Sequence, residues 1–318
     1  MKLRLPVALL LCLCAASVAA QSYPSRAVRV VVGFPPGGGT DIMARVLAPR
    51  LSEYLGQPFV VENRPGATTN IASDLVAKSA PDGHTLLFTT SALAINMSLY
   101  KNLTFDALRD FSPISVFSES PNILVAHASA GASVKELLAQ AKAKPGAMNY
   151  SSAGAGTSQH LAGELFKART GASIAHIPYK GTAASMTAVI AGEVQFTFAN
   201  VPAILGHVRS GRVRALAVAG PKRSELMPDV PTMLEAGVNG VEVPVWYALL
   251  GPANLPREIL KTLNDATVRA ARAPDLRQKL IDQGAEPVGN SPEEFAKLLR
   301  EEVTKWAEVV KISGAKAE

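Results

Sequence analysis

Apolar and polar positions along this chain follow two rhythms that take turns. Short runs of valine, isoleucine, leucine and phenylalanine give way to longer stretches in which apolar residues return every three or four positions. The first such pair is VRVVVGF (28–34), which predicts a buried strand, and residues 41–55, where Met43, Leu47, Leu51 and Leu55 fall on one helical face. Gly56 is placed to end that helix. Pro49 within it predicts a kink, because proline removes a hydrogen bond and crowds the carbonyl of Arg45.

The alternation continues for two thirds of the chain. Strands are predicted at 59–63, 85–90, 122–127, 148–152, 175–179, 194–200 and 213–220, with helices at 70–79, 133–143, 158–169, 182–191 and 202–210. Strand and helix in strict turn predict parallel sheets covered by helices on both faces. There are more units than one sheet needs, and the length of the chain also exceeds what one hydrophobic core serves, so two α/β lobes are expected. The tail departs from this rhythm. Residues 256–272, 274–283 and 292–312 predict amphipathic helices with only weak strand signals between them.

The first twenty residues change the picture of where the protein works. Lys2 and Arg4 precede the apolar LPVALLLCLCAASVAA, which ends in small residues; this is the form of a secretory signal cut after Ala20. The chain's two cysteines, Cys12 and Cys14, fall within it, so the mature protein is expected to have no thiol, disulfide or cysteine-bound metal. We therefore expect a soluble periplasmic protein. Of the formal charge of +6, Lys2 and Arg4 supply two units, and the other basic residues are scattered among acids. With aromatics at 6%, nothing has the clustering of a nucleic-acid surface.

Candidate chemistry sits where two strands run out into glycines. GFPPGGGTD (33–41) and SSAGAGTS (151–158) share one form: strand, glycine-rich turn, then Thr at a helix start. Free N–H groups at such a start bind anions without a cationic side chain, and glycine lets the backbone turn several of them toward one point. Each loop also reads as a plain turn, with Thr40 and Asp41 only capping their helix. Other motifs fail on detail. A dinucleotide fingerprint needs glycine where Gln159 stands, and a P-loop needs Lys where Thr40 follows Gly38-Gly39. Ser158 has no nucleophile elbow around it, and His84, His127, His176 and His207 lack metal-ligand spacing. No cofactor or metal is expected.

The chain resembles the extracytoplasmic solute receptors of the tripartite tricarboxylate transporter family, the Bug (Bordetella uptake gene) proteins. The segments that carry the resemblance run in order through the mature chain: VVVGFPPGGGTDIMAR, VVENRPGA, APDGHTLLFTT, DFSPIS, NYSSAGAGTSQHL, IPYKG, RALAV, DVPTMLEAG and PREILKTLN. It implies a type II periplasmic binding-protein fold, with two α/β lobes and a ligand cleft between them. Lobe I is then expected over 21–123 and 229–318, and lobe II over 124–228. It also implies a carboxylate clamp made by Pro36, Gly37, Gly38, Gly39, Thr40 and Asp41 on one side and Ala153, Gly154, Gly156, Thr157 and Ser158 on the other. Thr69, Ser91, His160, Tyr179 and Asn200 complete the expected cleft.

Three positions depart from the family's habit. Thr68-Thr69-Asn70 replaces a glycine-rich stretch, His84 replaces a tyrosine, and Ala199-Asn200 stands where many relatives carry an acid that would pair with a ligand ammonium. The reading favoured is a monomeric, non-catalytic receptor for a small carboxylate, working with inner-membrane permease subunits. A periplasmic sensor for a membrane signalling partner, and an enzyme on the same two-lobe fold, remain as alternatives.

Overall fold

The computed structural model describes residues 23–317. The expected export signal, with Cys12 and Cys14, lies outside the described residues. The chain runs β1 (Val28–Val32), α1 (Gly39–Leu55), β2 (Phe59–Asn63), α2 (Asn70–Ala77), β3 (Thr85–Thr90), α3 (Ala92–Leu99) and then the long β4 (Phe111–Ala126). A second series follows: α4 (Val134–Ala143), β5 (Met148–Ser152), α5 (Ser158–Thr170), β6 (Ile174–Pro178), α6 (Thr182–Ile190), β7 (Phe196–Asn200), α7 (Val201–Arg209) and β8 (Arg214–Ala219). The chain closes with β9 (Pro244–Pro252), α8 (Arg257–Arg272), α9 (Pro274–Asp282), β10 (Glu286–Pro287) and α10 (Pro292–Ser313).

Two sheets result, and each has the same strand order. In the first, β2, β1 and β3 are parallel, and β9 is inserted antiparallel between β3 and β4. In the second, β6, β5 and β7 are parallel, and the end of β4 is inserted antiparallel between β7 and β8. The expectation of parallel sheets therefore holds for three strands of each lobe and fails at the inserted strand. β4 serves both sheets: Phe111–Pro121 pairs with β9, and Asn122–Ala126 pairs with β7 and β8. The return passes from β8 through residues 220–243, with Val243 N–H still bonded to the Ala219 carbonyl, before Pro244 re-enters the first sheet.

Burial explains the patterns that the chain shows. β1 has a parallel neighbour on each side, and Val28, Val30, Val31 and Val32 are all buried, so apart from half-buried Arg29 near its start its run is apolar on both faces rather than alternating. Helix α1 is continuous through Pro49 and ends at Gly56, whose φ of 72° is left-handed and whose N–H bonds the Ser52 carbonyl. A Ser291–Glu294 capping box starts α10, and Pro292 occupies its first turn.

Helix α10 packs on α3 from the first lobe and α5 from the second, so it bridges both. It buries Phe295, Leu299 and Trp306 in a core that also holds Leu124, Phe196 and Trp246. Glu302 is buried there and accepts from both tryptophan indoles of the chain, Trp306 at 2.7 Å and Trp246 at 3.2 Å, with Lys305 at 3.0 Å on its other oxygen. A carboxylate in a core is tolerable only when so bonded.

Candidate functional site

The equal strand orders place the two glycine loops as counterparts. Each follows the first strand of its lobe, β1–α1 and β5–α5, and each lies beside the turn after the third strand, at Ser91 and Asn200. Carboxyl ends of parallel strands at such a switch point are where α/β folds form their binding crevices.

The first loop is held in shape by Asp41. Its carboxylate accepts from the Gly37 N–H at 3.0 Å, from Arg45 Nε at 2.9 Å and from Asn63 Nδ2 at 2.9 Å. Burial alone would raise the Asp41 pKa, but these three bonds outweigh it and hold it below its usual value. Both carboxylate oxygens are thereby committed, and Asp41 shapes the loop through its side chain. The N-cap of α1 is Gly38, which has no side chain to bond the helix's first amides. Ile42 N–H is the first to find a backbone acceptor, on Gly38, so the amides of Gly39, Thr40 and Asp41 are left without one.

The second loop consumes more of its own amides. Ala153 N–H donates to Gln159 Oε1 at 2.8 Å, Gly154 N–H to Ser152 Oγ at 3.1 Å and Gly156 N–H to His160 Nδ1 at 3.2 Å. Thr157 N–H and hydroxyl both donate to the Gly154 carbonyl, and the same hydroxyl accepts the His160 N–H as N-cap. The amides with no such partner are those of Ala155, within the loop, and of Ser158 and Gln159, in the first turn of α5. Side chains of the helix, Gln159 and His160, fold back to close the loop and take up the Ala153 and Gly156 amides.

His160 and His176 stack with ring centroids 4.3 Å apart beneath this loop, and Ser152 Oγ lies 2.7 Å from His176 Nε2. Burial lowers the His160 pKa to about 4, and burial with the neighbouring His160 lowers that of His176 to about 3. His160 is therefore neutral near pH 7, which lets Nδ1 accept from Gly156. It supports the loop from behind rather than facing the cleft.

Between the lobes these elements enclose a small void of about 20 Å³, room for a water-sized group. Seven expected residues line it: Gly38, Gly39, Thr40, Ala153, Thr157, Ser158 and Asn200. Pro36, Gly37, Asp41, Thr69, Ser91, Gly154, Gly156, His160 and Tyr179 do not; they shape or flank the loops. Five wall residues had not been expected: Phe34, Thr90, Gln159, Thr182 and Val245. Gln159 stands where a dinucleotide fingerprint breaks, and Thr182 follows the IPYKG turn, but neither position announces a cleft. Val245 comes from β9, which had no sequence signal.

Several polar atoms here are buried without a partner. Thr69 Oγ1, Ser91 Oγ, Asn200 Oδ1 and Tyr247 Oη are four of them. Gly39 lies against the last two: a Cβ built on it would stand 2.8 Å from Tyr247 Oη and from Asn200 Cγ, and closer still to Asn200 Oδ1. Ala67, Thr68 and Thr69 adopt left-handed φ of 43°, 47° and 74°. That costs on the order of 1 kcal/mol per residue. The turn is held by Asn96, whose Nδ2 donates to the Thr68 carbonyl at 2.8 Å and to Asn70 Oδ1 at 2.7 Å. It brings Thr68 Oγ1 within 3.0 Å of where a Gly154 side chain would begin. Tyr100 closes the same edge by donating to the Ala155 carbonyl at 3.1 Å.

Among the described residues, no group of three or more histidines or acids is placed to hold a metal, and no helix is long and apolar enough to cross a membrane. Comparison with known proteins agrees with this architecture. Residues 43–315 match the model of the tripartite tricarboxylate transporter family receptor. Protein BugT of Bordetella pertussis is 40% identical over 305 residues, covering 95% of this chain and 94% of its own. The solved structure of Rpa4515 from R. palustris with adipate superposes with a TM-score of 0.90 at 36% identity, over 93% of this chain and 100% of that one. MatC from Rhodopseudomonas palustris with bound malate gives 0.86 at 31%, over 91% and 100%. With the family model spanning both lobes and relatives matched along nearly their whole length, this chain belongs to the tripartite tricarboxylate transporter receptor family.

Proposed function

We propose that this receptor captures a small carboxylate, most readily a dicarboxylate, between its two lobes in the periplasm. One observation carries the reading: uncapped amides at two helix starts, Gly39–Asp41 and Ser158–Gln159, flank one void whose walls contain no lysine or arginine. Hydrogen-bond donors and helix dipoles from both lobes suit a carboxylate held without an ion pair. Thr40, Thr90 and Thr182 add hydroxyls, and Asn200 replaces the acid that an ammonium would need. The ligands of Rpa4515 and MatC, adipate and malate, are of this class.

The finer parts of this proposal concern assembly and processing. The lobes rotate about β4 at Pro121–Asn122 and about the return near Pro244. The mature chain begins near Gln21, acts as a monomer and passes its ligand to membrane permease subunits. Titration calorimetry with adipate, malate and the uncharged diamide adipamide tests the core of it. Binding of a dicarboxylate with adipamide at least tenfold weaker is expected. Equal binding of the diamide would overturn the carboxylate assignment. Intact mass of the exported protein checks the N-terminus.

A further inference from the structure

A second cavity, of about 240 Å³, lies at the chain crossings rather than in the cleft. Its size approaches the lower end of small-molecule sites, about 300 Å³. One wall is the crossing strand at Glu119–Pro121 together with Pro244 at the start of β9. The facing wall is the return segment from Gly220 to Leu226, and the end of α9 with residues 284–286 forms the base. Ser120 Oγ donates to the Gly284 carbonyl at 2.8 Å and ties wall to base.

Its charges do not balance. Lys222 is paired with Glu286 at 2.8 Å, and Arg223 with Glu235 at 2.8 Å. Glu119 is half-buried, lines the cavity, and has neither a hydrogen bond nor an ion pair among the described residues. Burial, and then the charges of Glu286 and Glu302, raise its pKa against a smaller opposing effect of Lys305, whose ammonium is bonded to Glu302. A carboxyl that no side chain bonds, in a part-apolar pocket, is stabilised by a cation that reaches it. Pro121, Leu226, Pro244 and Ile281 supply apolar surface for the body of such a ligand.

We infer that this hinge cavity is a binding site for a small organic monocation, an aliphatic ammonium or guanidinium whose charged head pairs with Glu119. The site is separate from the carboxylate cleft and does not depend on what the cleft binds. Because its walls come from both sides of the crossings, its occupant also senses the angle between the lobes.

The test uses n-butylammonium and methylguanidinium as probes on the full mature protein. Amide shifts in two-dimensional NMR are followed with increasing probe, alongside calorimetry. Saturable shifts confined to residues 119–121 and 220–226 are expected, with affinity falling at least tenfold in Glu119→Gln. Gly220→Leu is a second variant that keeps the acid and fills the space. The nearest atom to its Cβ would be 3.5 Å away, so the backbone tolerates it, and it too should lose the probe. No saturable shift in the wild type, shifts in the cleft loops alone, or wild-type affinity in folded Glu119→Gln would each overturn the inference.

Discussion

Gly39→Ala separates the two roles that a glycine-rich loop can have. If Gly39 is there only to make a turn, alanine should do as well. Gly39 is the first residue of α1, and alanine favours a helix over glycine by about 1 kcal/mol, so by that role alone the fold would be as stable or slightly more so. The added methyl, however, stands 2.8 Å from the buried Tyr247 hydroxyl and overlaps the Asn200 amide, which belongs to the opposite lobe. Ordinary contact begins near 3.4 Å, so one lobe must retreat by several tenths of an ångström or more. Overpacking of this kind costs roughly 1–3 kcal/mol; the share that falls on Tyr247, in the same sheet as β1, lowers stability, and the share that falls on Asn200 acts across the lobes and appears as weaker binding, by up to about 150-fold. Gly38→Ala is the matched control. Its Cβ would meet nothing closer than Thr182 Oγ1 at 3.7 Å, and its φ of −83° suits any residue. Calorimetry with adipate or malate reads the affinity, thermal melting reads the fold, and small-angle scattering reads the closure. Gly39→Ala binding as tightly as Gly38→Ala, with equal closure, would refute the argument.

Four further outcomes are expected. Asp41→Ala frees the Gly37 amide, Arg45 and Asn63 together, and should lower stability by about 1–3 kcal/mol as well as binding, read by denaturant titration. Because the folded Asp41 pKa lies below 3.8, its contribution is present above that pH and is lost as pH falls through the lowered value; Asp41→Asn should flatten that part of the acid profile. The buried histidines act in the same direction: the unfolded chain takes up protons below about pH 6.5 while folded His160 and His176 resist until about 4 and about 3, so stability should decline from pH 6.5 toward 3 and His160→Asn should reduce the slope in chemical denaturation. Glu302→Leu leaves two buried indole N–H groups unpaired and should cost on the order of 2–5 kcal/mol, with a shift in tryptophan emission as the direct readout.

Local pattern was enough for much of this molecule. The alternation of β-branched runs with helical periods specified most of the elements and the two-lobe α/β class, because strands and helices each leave a periodic trace when one or both faces are buried. It also located the two glycine loops, since a strand running into glycines and then a helix is a local event. The elements that left no trace share one cause: their neighbours are distant in sequence. Helix α3 buries Leu93, Ala94, Ile95 and Asn96 in succession, so no polar face marks its period. The first part of β4 carries Pro113 and Pro121 and many serines, which argue against a strand until β9 pairs with it. β9 is apolar on both faces and bounded by prolines, and its antiparallel place between β3 and β4 is set by residues some 120–165 positions away.

The site divides in the same way. Sequence supplied the backbone freedom at Gly38–Gly39 and at Gly154–Gly156. Tertiary structure decided which amides remain free, because Asp41, Gln159 and His160 turn back to bond their own loops. It also brought Asn200 and Tyr247 onto Gly39 from opposite lobes, and it set the hinge cavity where two crossings meet. Those are contacts between segments that share no periodicity, and only the folded chain places them together.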